Sequence, residues 1–169
     1  MLFALLALAD APAQAYPNPL TPAGRGQIQC YAPTDRKTCA SMSVYTAKGD
    51  GTFANTNTIM MSKKPVVLIK MTTPVTIKND AVCGTVRAQD ITAGSLNVDG
   101  QAVPADQAAV LLAKVAASAG GIVGHEICTS YVGDGSGFTA KATMDGVPQP
   151  NQNQPVIWVT PDDGYTVAP

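Results

Sequence analysis

The residue types able to do chemistry gather in one run, HEICTSYVGDGSG at residues 125–137, where the only histidine, His125, precedes the only glutamate, Glu126. A zinc peptidase helix places a second histidine four residues after the first. Here that position is Thr129, and the chain has no other histidine. Catalytic zinc also takes three protein ligands, so no metal is expected at His125. Serine hydrolysis needs a histidine between nucleophile and acid, but Ser136 lies in GDGSG, which misplaces a glycine of the G-x-S-x-G elbow. His125 therefore reads as a partly exposed residue at the start of a strand. His125 with Glu126 is kept as the alternative, a small hydrolase or carbohydrate-active site.

Other patterns are weaker. GSGFTA, which overlaps the end of that run, matches a dinucleotide fingerprint in letters only, because β-prone FTAKATM stands where a helix N-terminus should meet the phosphate. Glycoside cleavage needs two facing carboxyl groups, whereas the aspartates sit mostly in turn sequences. Asp162 and Asp163 are the best oxygen ligands for a calcium ion, but no run has the alternating ligands of an EF-hand loop. Asp-Gly turns account for these acids without metal, and no cofactor is expected. Trp158 and Tyr165, in PVIWVTPDDGY, offer aromatic faces for a sugar or a protein partner; a core position for Trp158 is the simpler reading. NTNT and PQPNQNQP read as uncharged, solvated loops.

Four cysteines, Cys30, Cys39, Cys83 and Cys128, have no C-x-x-C spacing. An even count in an exported chain points to disulfides. Of the three possible connectivities, Cys30 to Cys39 and Cys83 to Cys128 is preferred, because the turn-rich YAPTDRKT between the first two can bring its ends together. A hydrophobic-Asp-Gly turn follows both Cys83 and Cys128 at similar spacing, so by pattern alone the two segments read as matching hairpins.

The elements that must position these residues read as β. From Gln27 onward, short apolar or alternating runs are separated by turn sequences, including five Asp-Gly pairs at Asp50, Asp99, Asp134, Asp145 and Asp163. CGTVRAQDI is read as one of the strands. The exception is a helix over about residues 104–119, begun by Pro104 and Asp106 and ended by Gly120-Gly121, with Ala108, Leu111, Leu112, Val115 and Ala119 at helical spacing. The expected fold is mostly β in the α+β class: an antiparallel, hairpin-built sandwich or curved sheet with that one helix packed on it.

Residues 1–15 resemble a signal peptide, with an apolar run from Leu2 to Ala9 and the small-x-small pattern Ala13-Gln14-Ala15. The run is too short to span a bilayer, so no transmembrane span is expected in the mature chain. Residues 16–27 read as a Pro/Gly-rich arm, and 28–169 as a single disulfide-stapled domain. Asp10 is the one charge in the leader, so its removal takes the net charge from −1 to 0. A neutral chain lacks the basic surface that nucleic acid needs. Together these features predict a secreted or periplasmic, non-catalytic envelope or extracellular module that binds or assembles with another such protein, or with itself. A ligand-carrying module, with an apolar cavity between helix and sheet, is a third possibility.

Overall fold

The computed structural model describes residues 18–169. The leader reading for residues 1–15 and the first two residues of the arm lie outside the described residues.

The strands are β1 Ile28–Tyr31, β2 Thr38–Cys39, β3 Ser41–Ala47, β4 Thr52–Lys63, β5 Val66–Lys78, β6 Ala81–Thr85, β7 Ser95–Val98, β8 Gln101–Ala102, β9 Glu126–Gly133, β10 Phe138–Met144, β11 Val147–Pro148, β12 Gln154–Val159 and β13 Thr166–Val167. Two α-helices accompany them, α1 Ala88–Thr92 and α2 Ala105–Ser118. Eight strands, in the order β4-β3-β1-β12-β10-β9-β6-β5, form an antiparallel sheet whose two ends, β4 and β5, pair with each other. The result is a closed barrel, which corrects the sandwich expectation; the mostly β composition stands.

Closure depends on β5. From Val66 to Thr76 it pairs with β4 on one edge, while its other edge pairs first with β7, at Val67–Lys70, and then with β6, at Thr76–Lys78. Between those two partners lies Pro74, which has no N–H to give a ladder. The proline does not break the strand, as two separate strand readings for PVVLIKM and PVTIKN imply, because it falls where the second edge has no partner. Gly84 on β6 allows the close crossing, since a Cβ there would lie 2.9 Å from Val75 Cγ1 and 3.1 Å from the Pro74 carbonyl oxygen. A turn at Asn79-Asp80 joins β5 to β6, and Asp-Gly turns join β7 to β8 and β10 to β11. All three place both central residues at positive φ, the form that matches strand twist.

α2 matches the expected helix to within a residue at each end. Its Ala108 and Leu112 bury against Ile69, Leu96 and Ile91, so the space between helix and sheet is packed. α1 is a second correction: in CGTVRAQDI only the start is strand, and the chain turns helical from Ala88, with Asp90 in the first turn. The opposite end of the barrel is closed by the described part of the arm. There Leu20, held in a turn by the Asn18 side chain, buries beside Tyr45, Val75, Val82, Phe53, Ile77 and Trp158.

The disulfides join Cys30 to Cys39 and Cys83 to Cys128. The second links directly opposed residues of β6 and β9, and so holds the barrel wall near its closing seam. Replacing Cys83 and Cys128 by alanine is expected to cost about 4 kcal/mol and replacing Cys30 and Cys39 about 3, since the loops span 45 and 9 residues. Urea unfolding of the two double variants checks this, and a larger loss from the shorter loop would contradict it.

Candidate functional site

Strand alternation sends every second side chain into the barrel. Register then stacks Ser41, Ser43 and Tyr45 of β3 against Asn55, Asn57 and Ile59 of β4, and those against Met71, Thr73 and Ile69 of β5. From the other wall come Tyr31, Thr129, Tyr131 and Gln154. All of these but Ile69 line a chamber of about 270 Å³, in which ten hydroxyl and carboxamide side chains are interleaved with Val75, Val82, Val86, Ile91 and Ile127. The NTNT stretch read as a loop lies inside β4, with Asn55 and Asn57 turned inward.

The chamber floor is a hydrogen-bonded cluster around Gln29, which is fully buried. The carboxamide oxygen accepts from the hydroxyls of Tyr31 at 2.8 Å, Tyr45 at 2.9 Å and Tyr131 at 3.2 Å, and the Tyr31 and Tyr131 hydroxyls are 2.9 Å apart. Each phenol has one proton and the amide oxygen two lone pairs. Tyr31 and Tyr45 donating to Gln29, with Tyr131 donating to Tyr31, satisfies the set. Burial pushes the Tyr31 and Tyr45 hydroxyls well above the ordinary tyrosine range, reinforced by the neighbouring phenols. Nearby, Ser43 donates to the Asn57 carboxamide oxygen. Two buried polar atoms have no partner, Nε2 of Gln29 and Oδ1 of Asn55. Turning the Gln29 carboxamide over would orphan its oxygen in place of its nitrogen, so either orientation leaves one end unpaired.

The only formal charges in the chamber wall belong to Arg87 and Asp90. They face each other across the first turn of α1, with Arg87 Nε donating to Asp90 Oδ2 at 2.8 Å and Nη2 donating to Oδ1 at 2.5 Å. The carboxylate raises the Arg87 guanidinium above its usual value. Asp90 is 8% exposed and Arg87 40%, so the pair sits at the wall with its cation toward solvent. A second cavity of about 360 Å³ shares Tyr31, Ile127, Thr129 and Gln154 with the first. It opens between Ile122, Met144, Gln149 and Gln152. PQPNQNQP thus contributes a rim of neutral amides, Gln149, Gln152 and Gln154, at the barrel mouth.

The residues singled out by sequence lie elsewhere. His125 Nδ1 is 2.5 Å from Asp145 Oδ2 on the outer surface, and this contact, with the Glu126 N–H, holds the Asp145 carboxyl below the ordinary carboxylate range. Glu126 instead pairs with Lys78. The histidine and the glutamate therefore serve different partners, and among the described residues no serine hydroxyl is bonded to His125. Asp134 is taken up by its own turn, accepting from Ser136 and Gly137. Asp163 caps a short helical turn by accepting from the Thr160 N–H and hydroxyl, while Asp162 is exposed. Trp158 faces the barrel's closed end, 6.4 Å from the Tyr45 ring, and Tyr165 packs outside near the Cys30–Cys39 bridge. The chamber residues escaped the sequence reading, although polar residues at every second position of SMSVY and ANTNT marked them as an inward row.

No family model matches the chain, and no curated protein or solved structure matches it either.

The tyrosine cluster has a pH consequence. Because the folded-state values of Tyr31 and Tyr45 are raised, the stability they contribute is intact below the unfolded value, about pH 10, and is lost as pH rises beyond it. Alkaline titration read by phenolate absorbance is expected to find both silent until the fold opens. Ionisation of all five tyrosines in the ordinary range, with the circular dichroism of the fold unchanged, would contradict the cluster.

Proposed function

We propose that this chain is an exported, non-catalytic binding module that holds a small ligand inside its barrel. The observation that carries the reading is the chamber itself, whose wall converges hydroxyls and carboxamides on a cavity and leaves Asn55 in that wall with an unpaired polar atom. An unpaired polar atom is costly to bury, and a ligand group bonded to it offsets that cost. Binding sites for small molecules are generally concave, largely apolar and set with a few fixed polar groups, which describes this interior. Two disulfides and the leader-like run at residues 1–15 support export. His125 and Glu126, bonded to separate partners on the outer surface, give no support to a hydrolase.

Native mass spectrometry of the protein purified from its own host is expected to show the chain with a retained low-mass adduct. Ala142→Leu, which enlarges a side chain lining the second cavity, should lose that adduct while its thermal midpoint falls by only a few degrees, about 1 kcal/mol of overpacking. An adduct-free wild type, or a variant that keeps the adduct, speaks against the reading.

A second reading, assembly with another exported protein, has its own observation. α2 exposes Val110 and Leu111, at 58% and 43% exposure, and neighbouring exposed apolar side chains are a mark of interfaces. Sedimentation of the wild type against Val110→Asp/Leu111→Asp would register such assembly as a loss of mass in the variant, and a monomer in both cases removes self-association.

A further inference from the structure

We infer that the chamber selects an uncharged, polyhydroxylated molecule of monosaccharide size, and that the closed Arg87–Asp90 pair keeps charged molecules out. The inference rests on the reading of the barrel as a ligand site and adds the chemistry of the ligand.

Charge decides the first half. Arg87 and Asp90 are the only ionised groups lining either cavity, and two parallel hydrogen bonds commit each to the other. A charged ligand would leave water for a wall with no free counter-charge, a transfer that is strongly unfavourable. It would otherwise have to break a bidentate pair whose geometry makes it among the stronger ion contacts. The mouth points the same way, since Gln149, Gln152 and Gln154 offer amides without charge.

Hydrogen-bond inventory decides the second half. Asn55, in the chamber wall, presents an unpaired acceptor. A hydroxyl both donates and accepts, so it can satisfy Asn55 in either orientation of its carboxamide, which a carbonyl or an ammonium cannot. The inward rows also alternate in character: Asn57 opposes Met71 across the β4–β5 ladder, and Thr129 opposes Val82 across β6–β9. Interleaved polar and apolar contacts suit a ring whose C–H and O–H groups alternate. A chamber of about 270 Å³ is small for a drug-sized ligand, whose sites start at about 300 Å³, and leaves room for little beyond one ring.

The test is calorimetric titration of the full chain with five molecules of one size: D-glucose, D-galactose and D-mannose, and their charged relatives D-glucosamine and D-glucuronate. At least one neutral hexose is expected to bind, with both charged sugars weaker by about tenfold or more for want of a counter-charge. Asp90→Asn, which frees the Arg87 cation, should then raise glucuronate affinity about tenfold relative to wild type while leaving glucosamine unimproved. The wild-type comparison decides the matter by itself if that variant does not fold. Equal or tighter binding of a charged sugar to the wild type overturns the neutral selection and leaves the barrel reading standing. Failure of all five sugars overturns the polyol assignment; if the host-derived adduct is present, the barrel reading survives that failure, and if it is absent both fall.

Discussion

Closing eight strands into a barrel removes the inward side chains from bulk water, so whatever polarity the sequence places on that face must be satisfied there. Everything notable in this protein follows from how it meets that demand. At one end the demand is avoided, with Leu20, Phe53, Val75, Ile77 and Trp158 filling the interior. In the middle it is met internally, by three phenols converging on one carboxamide. Beside that cluster it is left partly unmet at Asn55, opposite Tyr45 on the neighbouring strand, and the cavity lies there. The gradient from sealed to open runs along a single barrel axis, which gives the ligand reading its direction: the mouth is at the glutamine rim, and the tyrosine cluster is the floor.

The seam that makes the barrel possible is held by few residues. β5 serves two neighbours on one edge, Pro74 occupies the gap between them, Gly84 admits β6 close to Val75, and the Cys83–Cys128 bridge ties β6 to β9. The second, outward-facing set of apolar residues, around Cys30–Cys39, Val159 and Tyr165, braces the far wall. The packing of α2 on β5 and β7 extends the same long strand out of the barrel into a helix-covered flap. A rigid scaffold with its polar groups fixed by neighbours suits binding, because little side-chain freedom remains to be lost when a ligand enters.

How much of this was legible follows from what each signal measures. Turn chemistry was readable because Asp-Gly favours positive φ; Asp99 and Asp145 adopt it in hairpin turns, while at Asp50, Asp134 and Asp163 only the following glycine does. The helix at 105–118 and the pairing of the cysteines were readable for the same local reasons. Closure was not, since a barrel and a sandwich use the same alternating strands and differ only in whether β4 finds β5. The strand assigned to CGTVRAQDI holds only at its start; from Ala88 the chain is helical and buries Ile91 in the cluster with Ile69 and Leu112, a tertiary contact that no local pattern shows. The interior escaped notice because uncharged polar residues on alternate positions read as solvated surface; only closure turns Asn55, Asn57 and Thr129 into a lining. His125 and Glu126 drew attention by residue type, yet the fold spends them on a turn aspartate and a surface lysine.

The most direct test of the central claim is a high-resolution crystal structure of the protein purified gently from its host. The account predicts a non-protein molecule in the chamber, with a hydroxyl within hydrogen-bond distance of the Asn55 carboxamide, and with Arg87 still paired to Asp90. A chamber that is collapsed, with Asn55 satisfied by neighbouring protein groups, would contradict it.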